Sequence, residues 1–289
     1  MGDASMPPVL LSLLAASLFG GQAVLARRSL RHVDAQTGAM ITILTAGTVF
    51  WSIFVWRAPW AQWSSPAIWV YLSNGLLHPM FSMWLSFEAN RRMGATVSAT
   101  VAATTPLFAT AGALLWLREG VTPQILLGTL AVVIGVIVLS WARGAARGWA
   151  HSALVFPTGA AIVRAFNHVW GRFGMMLMPA PLMAATLSFS VSGTLAVLTY
   201  RLRTGHLPMR IPVRGVLWAM SGGLCVAAAI LSMYTALATG SVVVVSPVIN
   251  TYPVFTLGWA VLFRQERINP RILAGVLTVV AGITLISLR

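Results

Sequence analysis

The chain of 289 residues has no lysine; all 19 of its basic residues are arginine. It has only five acids, Asp3, Asp34, Glu88, Glu119 and Glu266. Charged residues make up 8% of the sequence, against roughly 25% in a soluble domain. So few charges cannot clothe a polar surface, and a water-soluble globule is excluded. One cysteine, Cys225, excludes an intrachain disulfide and a cysteine metal cluster. There is no Gly-x-Ser-x-Gly, no His-Glu-x-x-His and no Gly-Lys-Ser/Thr phosphate cradle. Those absences argue against the commoner hydrolases and against ATP-driven work. Neither a cofactor nor a metal is implied. The first residues, MGDASMPP, lack a positive stretch, so the first apolar run is expected to be retained rather than cleaved.

What is present is apolar length. Hydrophobic residues make up 58% of the chain, and mean hydropathy is +0.83. Ten apolar segments can be marked, at 8–26, 36–56, 66–87, 95–116, 123–142, 152–171, 180–200, 215–236, 241–263 and 269–288. Each has about the 20 residues needed to cross a bilayer. Backbone in hydrocarbon must satisfy its own hydrogen bonds, so each segment reads as a helix. The expected fold is an all-α integral membrane protein of ten transmembrane helices. The net charge of +14 could suggest nucleic acid, but the arginines are scattered through short loops between apolar runs. Contact with lipid headgroups explains them better, and no nucleic-acid partner is expected. Most of the 12 tryptophans fall near segment ends, as an interfacial belt requires.

One stretch occurs twice. Residues 104–140 align with 251–287 at a constant offset of 147, and fifteen of the 37 positions are identical. The matches include Pro106/Pro253, Glu119/Glu266, Gly128/Gly275 and Gly135/Gly282. Apolar composition alone would not align prolines, glycines and a lone acid in one register. The chain therefore reads as two repeats, 1–147 and 148–289, of five helices each. Five is odd, so the second repeat is expected to enter the membrane inverted, as in many alternating-access transporters.

At those paired prolines, acids and glycines the chain resembles the EamA family of the drug/metabolite transporter superfamily. Its first segment, LLAASLFGGQAVLA, is similar to that family's opening helix, with Phe19-Gly20 where a Trp-Gly pair is usual. The resemblance implies ten spans and an inner-membrane exporter of amino acids, related metabolites or drugs. It also implies cytoplasmic termini. Arginine counts point the other way, with 14 on the side opposite the N-terminus and about 4 on the N-terminal side. Small multidrug relatives carry a membrane-embedded Glu in the first helix. Gln22 is in that segment here, and no predicted span holds a carboxylate within it.

Candidate site residues follow from polar stripes. Asn74, His78 and Ser82 recur every four residues on segment three. A histidine at bilayer depth is expensive and generally faces the interior. Segment six carries Arg164, Asn167 and His168 on one face, and a guanidinium there would match a substrate carboxylate. Thr96, Thr100 and Thr104 form a stripe on segment four, and Ser246 and Asn250 on segment nine. They could line a path or simply bond helices together. Met80, Phe81, Met83 and Trp84 could receive an apolar side chain. Pro106 and Pro253 are expected to kink segments four and nine from within. Glu119 is expected to serve the N-terminus of the helix starting at Pro123, and the paired glycines to let helices approach closely.

Together these features predict a secondary exporter of small metabolites, aromatic or neutral amino acids first, working by alternating access. The alternative within transport is a multidrug exporter of lipophilic cations. A lipid-modifying membrane enzyme is a distant third, because buried acids are scarce. A monomer is sufficient to enclose a cavity.

Overall fold

The computed structural model describes residues 7–57, 63, 65–141, 151–205, 211–262 and 270–288. The described residues are overwhelmingly helical and contain no strand. The helices are α1 (Pro8–Ser29), α2 (Ala35–Arg57), α3 (Ala67–Leu77), α4 (Met80–Ala102), α5 (Thr105–Gly112), α6 (Pro123–Trp141), α7 (Val155–Leu177), α8 (Pro181–Thr204), α9 (Val213–Thr239), α10 (Val242–Ile249), α11 (Tyr252–Leu262) and α12 (Pro270–Ser287). Four of them open on proline, whose missing N–H costs nothing in a first turn. Asp34 precedes α2 and accepts the N–H groups of Gln36 and Thr37, each at 3.0 Å. α8 stops where Gly205 takes a left-handed conformation, φ 76°.

The sequence offset is also a structural one. Shifting by 147 residues carries α1 onto α7, α2 onto α8, α5 onto α11 and α6 onto α12. It carries the span of α9 onto α3 plus the start of α4, and α10 onto the end of α4. Packing follows the same rule. α9 lies against α1 and α2, while α3 lies against α8 and α4 against α7. Each half's third stretch thus packs on the other half's first two, and the halves interleave.

The ten-span reading is met only in part. Among the described residues, six stretches are long and apolar enough to cross a membrane, at 8–29, 35–57, 181–204, 213–239, 242–262 and 270–287. Residues 105–117 and 123–139 form shorter apolar helices. The third predicted segment is interrupted at His78 and Pro79. A residue before proline avoids the helical region, and His78 is extended, φ −133° and ψ 137°. Pro79 has no N–H for the Gly75 carbonyl. The Ser192 hydroxyl of α8 supplies the missing donor at 2.6 Å, and also reaches the His78 carbonyl at 3.1 Å.

Past that break, α4 runs unbroken through the loop expected at Arg91-Arg92. Glu88 therefore lies within a helix, contrary to the expectation that none would hold a carboxylate. Arg92 Nε pairs with it at 2.5 Å, one turn away. Segments four and nine are also divided, between α4 and α5 and between α10 and α11. Pro106 and Pro253 are not mid-helix kinks. Each sits in the first turn of the helix after the gap, where proline is tolerated best. The Thr105 hydroxyl donates to the Ala102 carbonyl at 2.7 Å, the carbonyl that Pro106 cannot serve.

α6 and α12 pack backbone to backbone. A Cβ added at Gly128 would fall 2.7 Å from the Gly282 carbonyl oxygen, and one at Gly282 would fall 2.7 Å from the Gly128 carbonyl oxygen. Only glycine permits that approach. Glu119 does not serve α6. Its two carboxylate oxygens accept the N–H groups of Val242 and Val243 at 3.1 and 3.2 Å, capping α10 in the other half. Its repeat partner Glu266 lies outside the described residues.

The exterior is apolar. Leu115, Leu202 and Val213 are 82%, 75% and 71% exposed, as lipid-facing side chains can be. Trp56, Trp69 and Trp116 are also exposed, in keeping with interfacial tryptophans. Serines and threonines within the helices mostly donate to the carbonyl four residues back, as Thr45 does to Ile41 and Ser52 to Thr48. This removes the cost of a bare hydroxyl in hydrocarbon.

Candidate functional site

Helices from both halves line a half-open cavity of about 410 Å³. α1 contributes Phe19, Gln22, Ala23, Ala26 and Arg27, and α2 contributes Thr42 and Ile43. The break in segment three brings in His78 and Pro79, followed by Ser82, Met83 and Ser86 of α4. The second half provides Arg164, Asn167 and His168 of α7, Phe189 of α8 and Val226, Ile230 and Met233 of α9. Ile249, Asn250 and Tyr252 close the lining at the gap between α10 and α11. No residue of α6 or α12 takes part.

α7 supplies three polar residues to the wall because it has two unlike faces. Phe166, Trp170 and Phe173 stack in a ladder with ring centroids 5.4 and 5.3 Å apart. Arg164, Asn167 and His168 form a cavity-lining face. Arg164 is half-buried near the helix middle, and its Nη2 donates to the Ser86 hydroxyl of α4 at 2.8 Å. A guanidinium has five N–H groups, so this one bond leaves capacity for a ligand. His168 Nδ1 lies 2.9 Å from the Ser246 hydroxyl, linking α7 to α10. Asn250 Nδ2 donates to the Ser246 carbonyl at 2.8 Å. Arg27 is exposed, in the last turn of α1.

The lining therefore holds two arginines, two histidines, several neutral donors and an apolar remainder of Phe19, Phe189, Met83, Ile230 and Met233. No Asp or Glu is among the lining residues. Coulomb forces in such a space favour an anion or a carboxylate and disfavour a bare cation.

Of the residues singled out in the sequence, Gln22, His78, Ser82, Met83, Arg164, Asn167, His168 and Asn250 line the cavity. Ser246 stands one bond behind it. Asn74 is packed into the core, where its Nδ2 donates to the Tyr234 hydroxyl of α9 at 3.0 Å. Trp84 is 40% exposed and stacks on Phe81 at 5.8 Å; neither ring lines the cavity. Thr104, in the gap between α4 and α5, donates back to Val101 O of α4 at 2.7 Å and is not in the lining. The Thr100 side chain lies outside the described residues, and so does that of Thr96. Pro106 and Pro253 lie beyond the wall as well.

Sequence reasoning missed the contributions of α2 and α8. Thr42, Ile43 and Phe189 sit in helices whose composition suggests only lipid and packing. Tyr252 was also missed, because the α10–α11 gap that exposes it was read as continuous helix.

The chain matches the EamA-like transporter family over residues 6–141 and again over residues 151–288. A search of curated proteins finds no match. A solved structure titled "Crystal structure of protein" superposes with a TM-score of 0.83 at 19% identity, covering 97% of this chain and 96% of that one. That likeness speaks for the fold. With a family match that recurs in both halves and covers nearly all of the sequence, this multi-pass membrane chain belongs to the EamA-like transporter family.

Proposed function

We propose that this chain exports small carboxylate-bearing metabolites, amino acids with aromatic or other apolar side chains first, across a bacterial plasma membrane. The moving units are the halves 1–147 and 148–289, inverted relative to each other and rocking about the cavity between them. One chain suffices, because residues from both of its halves line the space. The observation that carries this reading is Arg164, a half-buried guanidinium lining a cavity whose lining has no carboxylate. A substrate carboxylate would take its free N–H groups, with bidentate geometry available. Phe19, Phe189, Met83 and Met233 would receive the apolar side chain. With no nucleotide-binding motif in the sequence, transport would run down the substrate gradient or with a coupled ion.

Counterflow in proteoliposomes tests this directly. Preloaded phenylalanine or leucine should drive uptake of the labelled amino acid. Arg164→Gln should lower that uptake at least tenfold, on the order expected for losing a charged hydrogen bond in a low-dielectric site. Exchange of lipophilic cations such as ethidium, unaffected by Arg164→Gln, would overturn the reading in favour of a multidrug exporter.

A further inference from the structure

Asn167 lies one turn beyond Arg164 on the same face of α7. It is 1% exposed, yet it lines the cavity. Its side-chain amide nitrogen makes no hydrogen bond. The Tyr234 hydroxyl, which accepts from Asn74 Nδ2 at 3.0 Å, also interacts with Asn167, but one hydroxyl can engage at most one of the amide's two N–H groups. A buried amide with an N–H left over is disfavoured unless something completes it. Because Asn167 lines the cavity, a partner arriving there can complete it. Leucine or methionine would fill the same volume without that cost, and the neighbouring Val169 and Ala165 show that α7 is apolar where it only packs.

We infer that the Asn167 amide is a substrate donor, reading the same carboxylate as Arg164 and setting its orientation. The inference rests on the carboxylate transport proposed above and adds a second point of contact. Arg164 supplies charge and is tied to Ser86 on α4. Asn167 supplies a neutral donor one helical turn away, so the pair would grip the two oxygens from two directions. A planar carboxylate between them would leave the rest of the substrate pointing towards the apolar side chains of α8 and α9.

The experiment is counterflow of phenylalanine and of 3-phenylpropionate, which keeps the carboxylate and lacks the amine. Wild-type protein, Asn167→Ala and the near-isosteric Asn167→Asp are compared. Each is first checked for an unchanged melting temperature in detergent without substrate. Asn167→Ala should raise KM for both compounds about tenfold while leaving the maximal rate nearly unchanged. Asn167→Asp, which sets a carboxylate against a carboxylate, should weaken both further. If Asn167→Ala does not fold, Asn167→Asp alone carries the comparison.

An unchanged KM, or a lower maximal rate at unchanged KM, would show a structural role and overturn the inference. A loss confined to phenylalanine would show that the amide reads the amine, and would overturn it too. Wild-type protein that exchanges neither carboxylate would instead remove the transport reading on which the inference rests.

Discussion

Arg172 Nε stands 3.7 Å from Glu119 Oε1, and the two side chains hold opposite sides of one turn. Arg172 Nη1 donates to the carbonyls of Leu237 and Ala238, at 2.7 and 3.0 Å, near the end of α9. Glu119 accepts the first two N–H groups of α10. A cation thus meets the negative end of one helix and an anion the positive end of the next. Glu119 belongs to the first half, whereas α9 and α10 belong to the second.

Removing this tie should loosen the contact between halves. Glu119→Ala forfeits two charge-assisted bonds at a largely buried site, a loss of about 1.5–3 kcal/mol. Arg172→Met should cost about 1 kcal/mol and be less harmful once Glu119 is gone. A double-mutant cycle of melting temperatures in detergent checks both. Fully additive losses would show that the two residues act separately.

Ser192 should matter out of proportion to its size. Ser192→Ala would leave the Gly75 carbonyl bare in a dry environment and free His78 to shift. The expected loss is about 1–2 kcal/mol in stability, with weaker substrate binding as well. Ser232→Ala is the control, since that hydroxyl only returns to its own helix at Ala228 O. Equal behaviour of the two variants in thermal shift and counterflow would refute the capping role.

The α6–α12 contact predicts a contrast between glycines. Gly135→Ala would set a Cβ 2.8 Å from the Gly275 carbonyl oxygen and should destabilise by about 1–3 kcal/mol. Gly258→Ala meets nothing within 4 Å and should be neutral or stabilise by up to about 1 kcal/mol. Parallel melting curves decide it, and a harmless Gly135→Ala would mean that the helices can part without loss.

Asp34 lies outside the membrane spans and gives a pH signature. Burial pushes its carboxyl up, but bonds from the Thr37 hydroxyl and the N–H groups of Thr37 and Gln36 outweigh this and hold it below the ordinary 3.8. Because the folded value is the lower one, the stabilisation is full above the unfolded value. It is lost as pH falls through the folded value. Asp34→Ala should cost about 1 kcal/mol at neutral pH, as other N-cap deletions do. The gap to wild type should shrink below about pH 4. A gap constant down to pH 3 would contradict the assignment.

Some of this was legible in the sequence because periodicity and composition report local chemistry. The offset of 147 reappears as paired helices, and Gly128 and Gly282 do meet across a close contact. Arg164 and His168 share a face because residues four apart on a helix must. The rest depended on which helix lies opposite which. Asn74 shares the spacing of His78, yet Pro79 lies between His78 and Ser82 and turns the stripe, so Asn74 packs on Tyr234. Trp84 is on the segment with Ser82 and Met83, but two residues past Ser82 on a helix is roughly the opposite side. Glu119 sits beside the start of its own helix in sequence, while its donors are 123 and 124 residues away. Long-range partners of that kind leave no local trace.

The seam between α6 and α12 also limits how the molecule can move. A gap of about 0.5–1 Å between surfaces in van der Waals contact already forfeits a quarter to a half of their attraction, whereas a turn about the contact preserves most of it. Two backbones touching at Gly128 and Gly282 can therefore pivot far more cheaply than they can slide apart. If the halves rock as proposed, this seam would serve as their hinge line. A doorway for substrate would then open among the helices that do line the cavity.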